Sequence, residues 1–414
     1  MKNYLQFKIN KSDGMSDYIY EYDMLHKPYV WMGNEAMVEG ALAAGCRFFA
    51  GYPITPQNEV PEKMSVRLPQ LGGRFIQMED EMASISAVVG ASFAGLKAMT
   101  STSGPGFSLM QEVMSWASSI EVPMVVADVQ RTGPGAGIVN LPHHSDIIQA
   151  HYGGNGEYPV IAYAPSSCQE LFDFTIDAFN DAETWRTPVV VFSDSLLGHI
   201  HEKVVVPPKE ELEQRVIPRK LVTYEEDGVT PLPRNKYYTF TNFDKKTKTY
   251  KISIPPNIAT DYFPEWLPAV THSPQSIASE YQEAAELEVF TLNNKLNEEK
   301  IVRVQEYCTE DAEIAIVCYG LPFRSALRAV KLAREEGIKA GLFRLVTIWP
   351  FARKAIRELS QKVKKLLVPE INIGQMVIWI EAAVEDGTTV KSIPAISRLH
   401  EPKELLDEIK EVAQ

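Results

Sequence analysis

Cysteine is scarce and scattered. The chain has four in 414 residues, Cys46, Cys168, Cys308 and Cys318, and no C-x-x-C pair, so no iron-sulfur cluster or zinc ribbon is expected within it. Basic residues are outnumbered: 41 Lys and Arg against 54 Asp and Glu give a formal charge of -13, which argues against a nucleic-acid face or a polybasic membrane patch. Nowhere do ~18 uncharged apolar residues run together, and MKNYLQFKINKSDGMSD lacks the charged-then-apolar order of a signal peptide. Internal repeats, low-complexity tracts and a G-x-x-x-x-G-K-[ST] phosphate loop are also missing. These absences describe a cytoplasmic chain with free thiols whose partners are proteins and small molecules, without nucleic acid or membrane.

What is present is an alternation of helix and strand signals. The amphipathic stretch NEAMVEGALAAG precedes the apolar run CRFFAGY. RFIQM, KAMTSTS, VPMVVADVQ, YPVIAYA and TPVVVFSD follow as further strands, with DEMASISAVVGASFAG and SSCQELFDFTIDAFNDAE as helices between them. Such alternation predicts α/β architecture with mostly parallel sheets covered by helices. Residues 1–29 read as an N-terminal extension and 30–206 as a first α/β domain. Residues 207–300 read as a proline-bearing linker with a hairpin arm at KYYTFTNFDKKTKTYKISIPP. Residues 301–414 read as a second α/β domain, with strands EIAIVCYG, KAGLFRLV, KLLVPE and MVIWIEA, and with RSALRAVKLAREEG, PFARKAIRELSQKVK and EPKELLDEIKEVA as helices.

Several motifs fall where strands give way to loops, the edge at which open α/β sheets gather ligands. In GYPITPQ, Pro53 ends a strand, Thr55 is placed to cap a helix, and Pro56 would take its first position. Glu79-Asp80-Glu81 opens a helix of small residues. The helix dipole alone favours acids there, while a carboxyl in so tight and apolar a place would be set up for proton exchange. TSTSGPGF sets hydroxyls before a Gly-Pro-Gly turn and a helix, the geometry of an anion site. Arg131 in DVQRTGPGAG offers a planar fork for a carboxylate. His143 and His144 read as loop histidines, and PEINIGQM as a turn.

Taken together and in this order, YPITP, QMEDEMASISAVVGAS, TSTSGPGFSLMQE, DVQRTGPGAG, PEINIGQM and RSALRAVKLAREEGIKAGLFRLVTIWPF resemble the α subunit of the 2-oxoacid:ferredoxin oxidoreductases, most closely the 2-oxoglutarate branch. The likeness runs over about 31–204 and 312–382. It implies a thiamine-diphosphate pyrimidine-binding domain followed by a transketolase C-terminal-like domain. The reaction implied is coenzyme A-dependent oxidative decarboxylation of a 2-oxoacid with electrons passed to ferredoxin, reversible as CO2 fixation. A β subunit would hold the diphosphate and Mg2+ through a G-D-G motif, which this chain lacks. Fe4S4 clusters would lie in partner subunits, with γ and δ subunits as further candidates.

By the same resemblance Glu81 bonds the aminopyrimidine and is catalytic, and Gly104 and Pro105 contact the cofactor. Thr55 and Arg131 match the family's substrate contacts, and Ile54 and His144 are further candidates; His143 and His144 stand where relatives have small or amide residues, and either of them or a β-subunit lysine would supply the second cation a dicarboxylate needs, with no metal ligand expected. GYPITPQNEVPEKM looks like the branched-chain members, so a branched-chain, pyruvate or aryl 2-oxoacid is the alternative substrate. A non-catalytic scaffold and a lipoamide-using dehydrogenase subunit are the alternatives of other kinds.

Overall fold

Segments rich in valine with no polar alternation become the centre of a parallel sheet, because both of their faces are covered. The computed structural model describes residues 24, 27–219, 243–244, 249–250 and 296–413. Strand β1 (Pro28–Met32) leads into helix α1 (Gly33–Ala43) and β2 (Phe48–Gly51). Then come α2 (Glu59–Gln70), β3 (Arg74–Gln77), α3 (Glu81–Phe93), β4 (Ala98–Thr102), α4 (Pro105–Ser119) and β5 (Met124–Gln130). β6 (Ile161–Tyr163) and β7 (Pro188–Asp194) complete this run, and β8 (His201–Val205) returns to pair antiparallel with β1. Every residue of β5 and β7 is buried.

The first sheet has the order β14-β6-β7-β5-β4-β2-β3. Strands β2 to β7 are all parallel, so the loops after β2, β3, β4 and β5 open on one edge. Its outermost strand, β14 (Thr347–Trp349), comes from the C-terminal part of the chain and runs antiparallel to β6. The second sheet has β11 (Val304–Tyr307), β12 (Ile314–Tyr319), β13 (Ala340–Leu345), β15 (Lys365–Glu370) and β16 (Thr389–Pro394), ordered β11-β13-β12-β15-β16, with only β11 antiparallel. Of the hairpin arm, the described residues are β9 (Phe243–Asp244) and β10 (Thr249–Tyr250), paired antiparallel; the remainder of that arm and most of the N-terminal extension lie outside the described residues.

Two sequence expectations fail. MVIWIEA is not a strand: Val377–Glu381 is a short helix, and the last strand of the second sheet is instead β16. The buried Glu370 carboxylate explains the helix, since it accepts the Met376 and Val377 N–H groups at 2.8 and 2.9 Å, the donors a helix start leaves unpaired. Trp379 then enters an aromatic cluster with Trp349, Tyr152 and Phe351. Likewise α2 begins at Glu59, behind Asn58, so Thr55 is not its cap and Pro56 is not its first residue. Ile54 to Gln57 form a turn instead, closed by Gln57 N–H to Ile54 O at 3.1 Å and by the buried Gln57 amide, which donates to Tyr52 O and accepts from Ser101 Oγ.

One apolar core runs from the α3–α4 side of the first sheet into the second sheet, joining Phe107, Phe192 and Ile147 to Tyr319, Phe343 and Trp349. α1 and the helix Cys168–Trp185 cover the other face of the first sheet. The seam also has a polar clamp. Arg344 on β13 is fully buried and donates to both oxygens of Glu170 at 2.8 and 2.6 Å, to Gln305 and to Ala164 O. Arg344→Met would leave Glu170 without its counter-ion, a loss of about 3 kcal/mol or more. Thermal unfolding of the variant is expected to start well below the parent, with Glu170→Gln added in a double variant recovering part of the loss.

Candidate functional site

The parallel register of the first sheet brings together residues far apart in sequence. Thr55 follows β2, Glu81 follows β3, Gly104 follows β4 and Arg131 follows β5, all at the same sheet edge. Each acid of the Glu79-Asp80-Glu81 run has a different environment. Glu79 is exposed. Asp80 caps α3, its Oδ1 accepting the Ala83 N–H at 2.7 Å. Glu81, the first helical residue, is buried. Burial raises its carboxyl above the usual range, Asp80 adds to the rise, and its own backbone N–H and Arg131 pull the other way. A carboxyl so placed holds a proton more readily than one in water and can exchange it with a ring nitrogen.

Glu81 is fixed by a missing side chain. A Cβ on Gly106, in the first turn of α4, would collide with Glu81 Oε1 and Thr102 Oγ1. Gly104 just before the helix has φ of 45°, which a glycine adopts without strain, and Pro105 takes the first helical position. The Thr102 and Ser103 hydroxyls beside this turn are buried with no hydrogen-bond partner. Gly106→Ala should leave α4 intact, since alanine is the better helix former, while pushing the Glu81 carboxyl out of place. The expected outcome is a folded chain by circular dichroism with activity reduced about tenfold or more.

Arg131 is buried, and its Nη1 donates to the Thr55 carbonyl at 2.6 Å. The turn at Thr55 and the end of β5 are thereby tied together, through the threonine backbone rather than its hydroxyl. Arg131 Nε is buried without a partner. Burial lowers the affinity of this guanidinium for its proton, and Asp146, Glu81 and Asp128 raise it. Ile54 and Thr55 are half-buried beside it.

His144 does not open on this site as expected. It is turned into the seam between the two sheets, its Nε2 2.9 Å from Asp194 Oδ2 and its ring against Tyr319. Its backbone N–H donates to Ile371 O, and Asn372 donates to its carbonyl at 2.8 Å. PEINIGQM is thus more than a turn: Glu370 starts a helix and Asn372 fastens the His144 loop. His144 Nε2 is thus engaged by Asp194, while its Nδ1 is buried without a hydrogen-bond partner. His143 is half-buried, with neither ring nitrogen partnered, and burial lowers its proton affinity. The feature sequence reasoning missed is a pair of buried carboxyls, Asp128 and Asp146, behind Arg131. An acid inside the apolar strand VPMVVADVQ was its only signal. Among the described residues no cluster of three or more His, Cys, Asp or Glu is placed to hold a metal ion, and no helix is long and apolar enough to cross a membrane.

A parallel-sheet α/β chain with a buried glutamate of raised proton affinity against a glycine notch fits a thiamine-type cofactor. Residues 39–265 match the family described as pyruvate flavodoxin/ferredoxin oxidoreductase, thiamine diphosphate-binding, and residues 312–404 match pyruvate:ferredoxin oxidoreductase core domain II. The chain belongs to this family of thiamine diphosphate-binding oxidoreductases. Within it, the chain is 42% identical over 385 residues to 2-oxoglutarate synthase subunit KorA of Methanothermobacter marburgensis, covering 92% of this chain and 98% of that one. It is 36% identical to ketoisovalerate oxidoreductase subunit VorB of Methanothermobacter thermautotrophicus, covering 92% and 97%. Among solved structures it is similar to the 2-oxoglutarate:ferredoxin oxidoreductase from Magnetococcus marinus with 2-oxoglutarate, coenzyme A and succinyl-CoA bound, with a TM-score of 0.72 and 28% identity. That match covers 94% of this chain, which spans 66% of the solved one.

Proposed function

We propose that this chain is the α subunit of a 2-oxoglutarate:ferredoxin oxidoreductase, converting 2-oxoglutarate and coenzyme A to succinyl-CoA and carbon dioxide while passing two electrons to ferredoxin. The observation that carries the reading is that a buried carboxyl, Glu81, and a buried arginine, Arg131, stand at one sheet edge and act on each other electrostatically. Thiamine diphosphate, when bound, supplies a carbon nucleophile and an electron sink for loss of the 2-oxoacid carboxyl group. Glu81 would hold or release a proton at the aminopyrimidine nitrogen. Gly106 leaves room for that carboxyl, and the Thr102 and Ser103 hydroxyls offer polar contacts to the cofactor beside Gly104 and Pro105.

Arg131 would receive a substrate carboxylate, its fork oriented by the Thr55 carbonyl. Ile54 and the Thr55 side chain would close the site against water. The diphosphate and Mg2+ are assigned to a β subunit and the Fe4S4 clusters to partner subunits, with γ and δ subunits as further candidates; the four free thiols accord with a cytoplasmic location. A branched-chain 2-oxoacid is the second reading, favoured by the VorB relative. The two are separated by steady-state rates of the complex with 2-oxoglutarate, pyruvate and 2-oxoisovalerate in the presence of coenzyme A and a viologen. The expected result is highest kcat/KM for 2-oxoglutarate; higher kcat/KM for 2-oxoisovalerate would transfer the assignment.

A further inference from the structure

Asp128 lies inside β5, fully buried, on a strand whose other residues are mainly apolar. Its neighbour is the buried Asp146, in the loop that follows, whose N–H donates to the Gln130 side chain two residues beyond Asp128 on the same strand face, and the two carboxyls interact electrostatically. Among the described residues no donor side chain closes a bond on either oxygen of Asp128 or on Asp146 Oδ2. Two adjacent buried carboxyls with so few donors repel each other when both are ionised, because two carboxylates offer acceptors alone, and one proton between them relieves this.

The groups around the pair are few. Asp146 Oδ1 accepts from Ser145 Oγ at 3.4 Å, and its N–H donates to Gln130 Oε1. The Gly104 amide, at the start of α4, faces Asp128. Arg131 acts on both acids, and His144, itself paired with Asp194, acts on Asp146. Glu81, from α3, shares Arg131 with them. One firm cation therefore stands among three carboxyls, and its buried Nε is unpartnered.

We propose that the Asp128–Asp146 pair is a positioning device for Arg131, carrying one shared proton that keeps the guanidinium available to an anionic substrate. This rests on the proposed role of Arg131 in holding the oxoacid. With the proton in place the pair bears a single charge, and a substrate carboxylate competes with one acid. When the proton is lost at higher pH the pair bears two charges, and the second competes with substrate for the same fork. The direction of titration agrees: burial and the facing Asp146 hold Asp128 well above the usual carboxylate range, and burial pushes Asp146 up to about 6. The sign follows, since alkaline pH removes the proton and KM for the oxoacid rises, while acid pH restores it.

The test uses the assembled complex containing this chain with Asp146→Asn, whose amide donates to Asp128 without titrating. The parent enzyme is expected to show KM for 2-oxoglutarate rising about tenfold along its alkaline limb, and the variant to lose that rise. An identical alkaline limb in the two enzymes would overturn the proposal. A second readout does not depend on turnover: the infrared difference between parent and Asp128→Asn complexes without substrate should show a protonated carboxyl C=O stretch persisting at neutral pH. Its absence would overturn the shared proton. If no 2-oxoacid is turned over, the functional reading fails, while the infrared band still decides the state of the pair.

Discussion

Glu81→Gln is expected to abolish turnover, with kcat falling by about 100-fold or more, the range general acid–base groups contribute. Gln has the same shape, Asp80 still caps Ala83, and the notch at Gly106 is unchanged, so fold and assembly should persist. The amide can donate a hydrogen bond but cannot take up and return a proton, for which burial raises the affinity of the carboxyl. The check is kcat alongside the melting temperature of the variant complex. Turnover near that of the parent would remove Glu81 from the chemistry.

Arg131→Ala is expected to raise the concentration of oxoacid needed for half-maximal rate by about 30-fold or more, as for loss of one partner of a buried charged pair. The substitution also removes the donor to the Thr55 carbonyl, so the turn after β2 would loosen. Arg131→Lys separates the two effects. It retains the charge but not the fork, so an intermediate KM is expected. An unchanged KM in both variants would show that the substrate carboxylate binds elsewhere.

The legibility of the site in the sequence follows from its construction. Thr55, Glu81, Gly104 and Arg131 lie just beyond strands whose valine-rich or aromatic composition marks them clearly, and parallel pairing alone brings them to one edge. Local rules failed where a long-range partner overrode them. Val377–Glu381 is β-branched enough to read as a strand, yet Glu370 and the Trp349–Trp379 contact make it a helix. Thr55 has the residue type of a cap, but the buried Gln57 and its bond to Ser101 set a turn there and delay α2 to Glu59. His144 had the chemistry of a ligand contact, and its loop belongs to the seam because Asp194 and Asn372 hold it there.

β14 and the carboxyl pair show the same limit. Nothing local to Thr347–Trp349 says that it will finish the first sheet rather than the second; its pairing with β6 and the bond from Trp349 Nε1 to Ile147 O are fixed by the docking of the two sheets. Asp128 is a lone acid in an apolar strand, and Asp146 is unremarkable in its loop. Only the fold makes them share a proton behind the arginine.

On the proposed function, this chain supplies the α-side groups for decarboxylation of 2-oxoglutarate. The most direct test is release of carbon dioxide from carboxyl-labelled 2-oxoglutarate by the purified complex containing this chain, with and without thiamine diphosphate and coenzyme A. Label release is expected to require thiamine diphosphate and to be lost in the Glu81→Gln complex. A folded, assembled complex that releases no label from 2-oxoglutarate, or one in which Glu81→Gln releases it at the parent rate, would contradict the account.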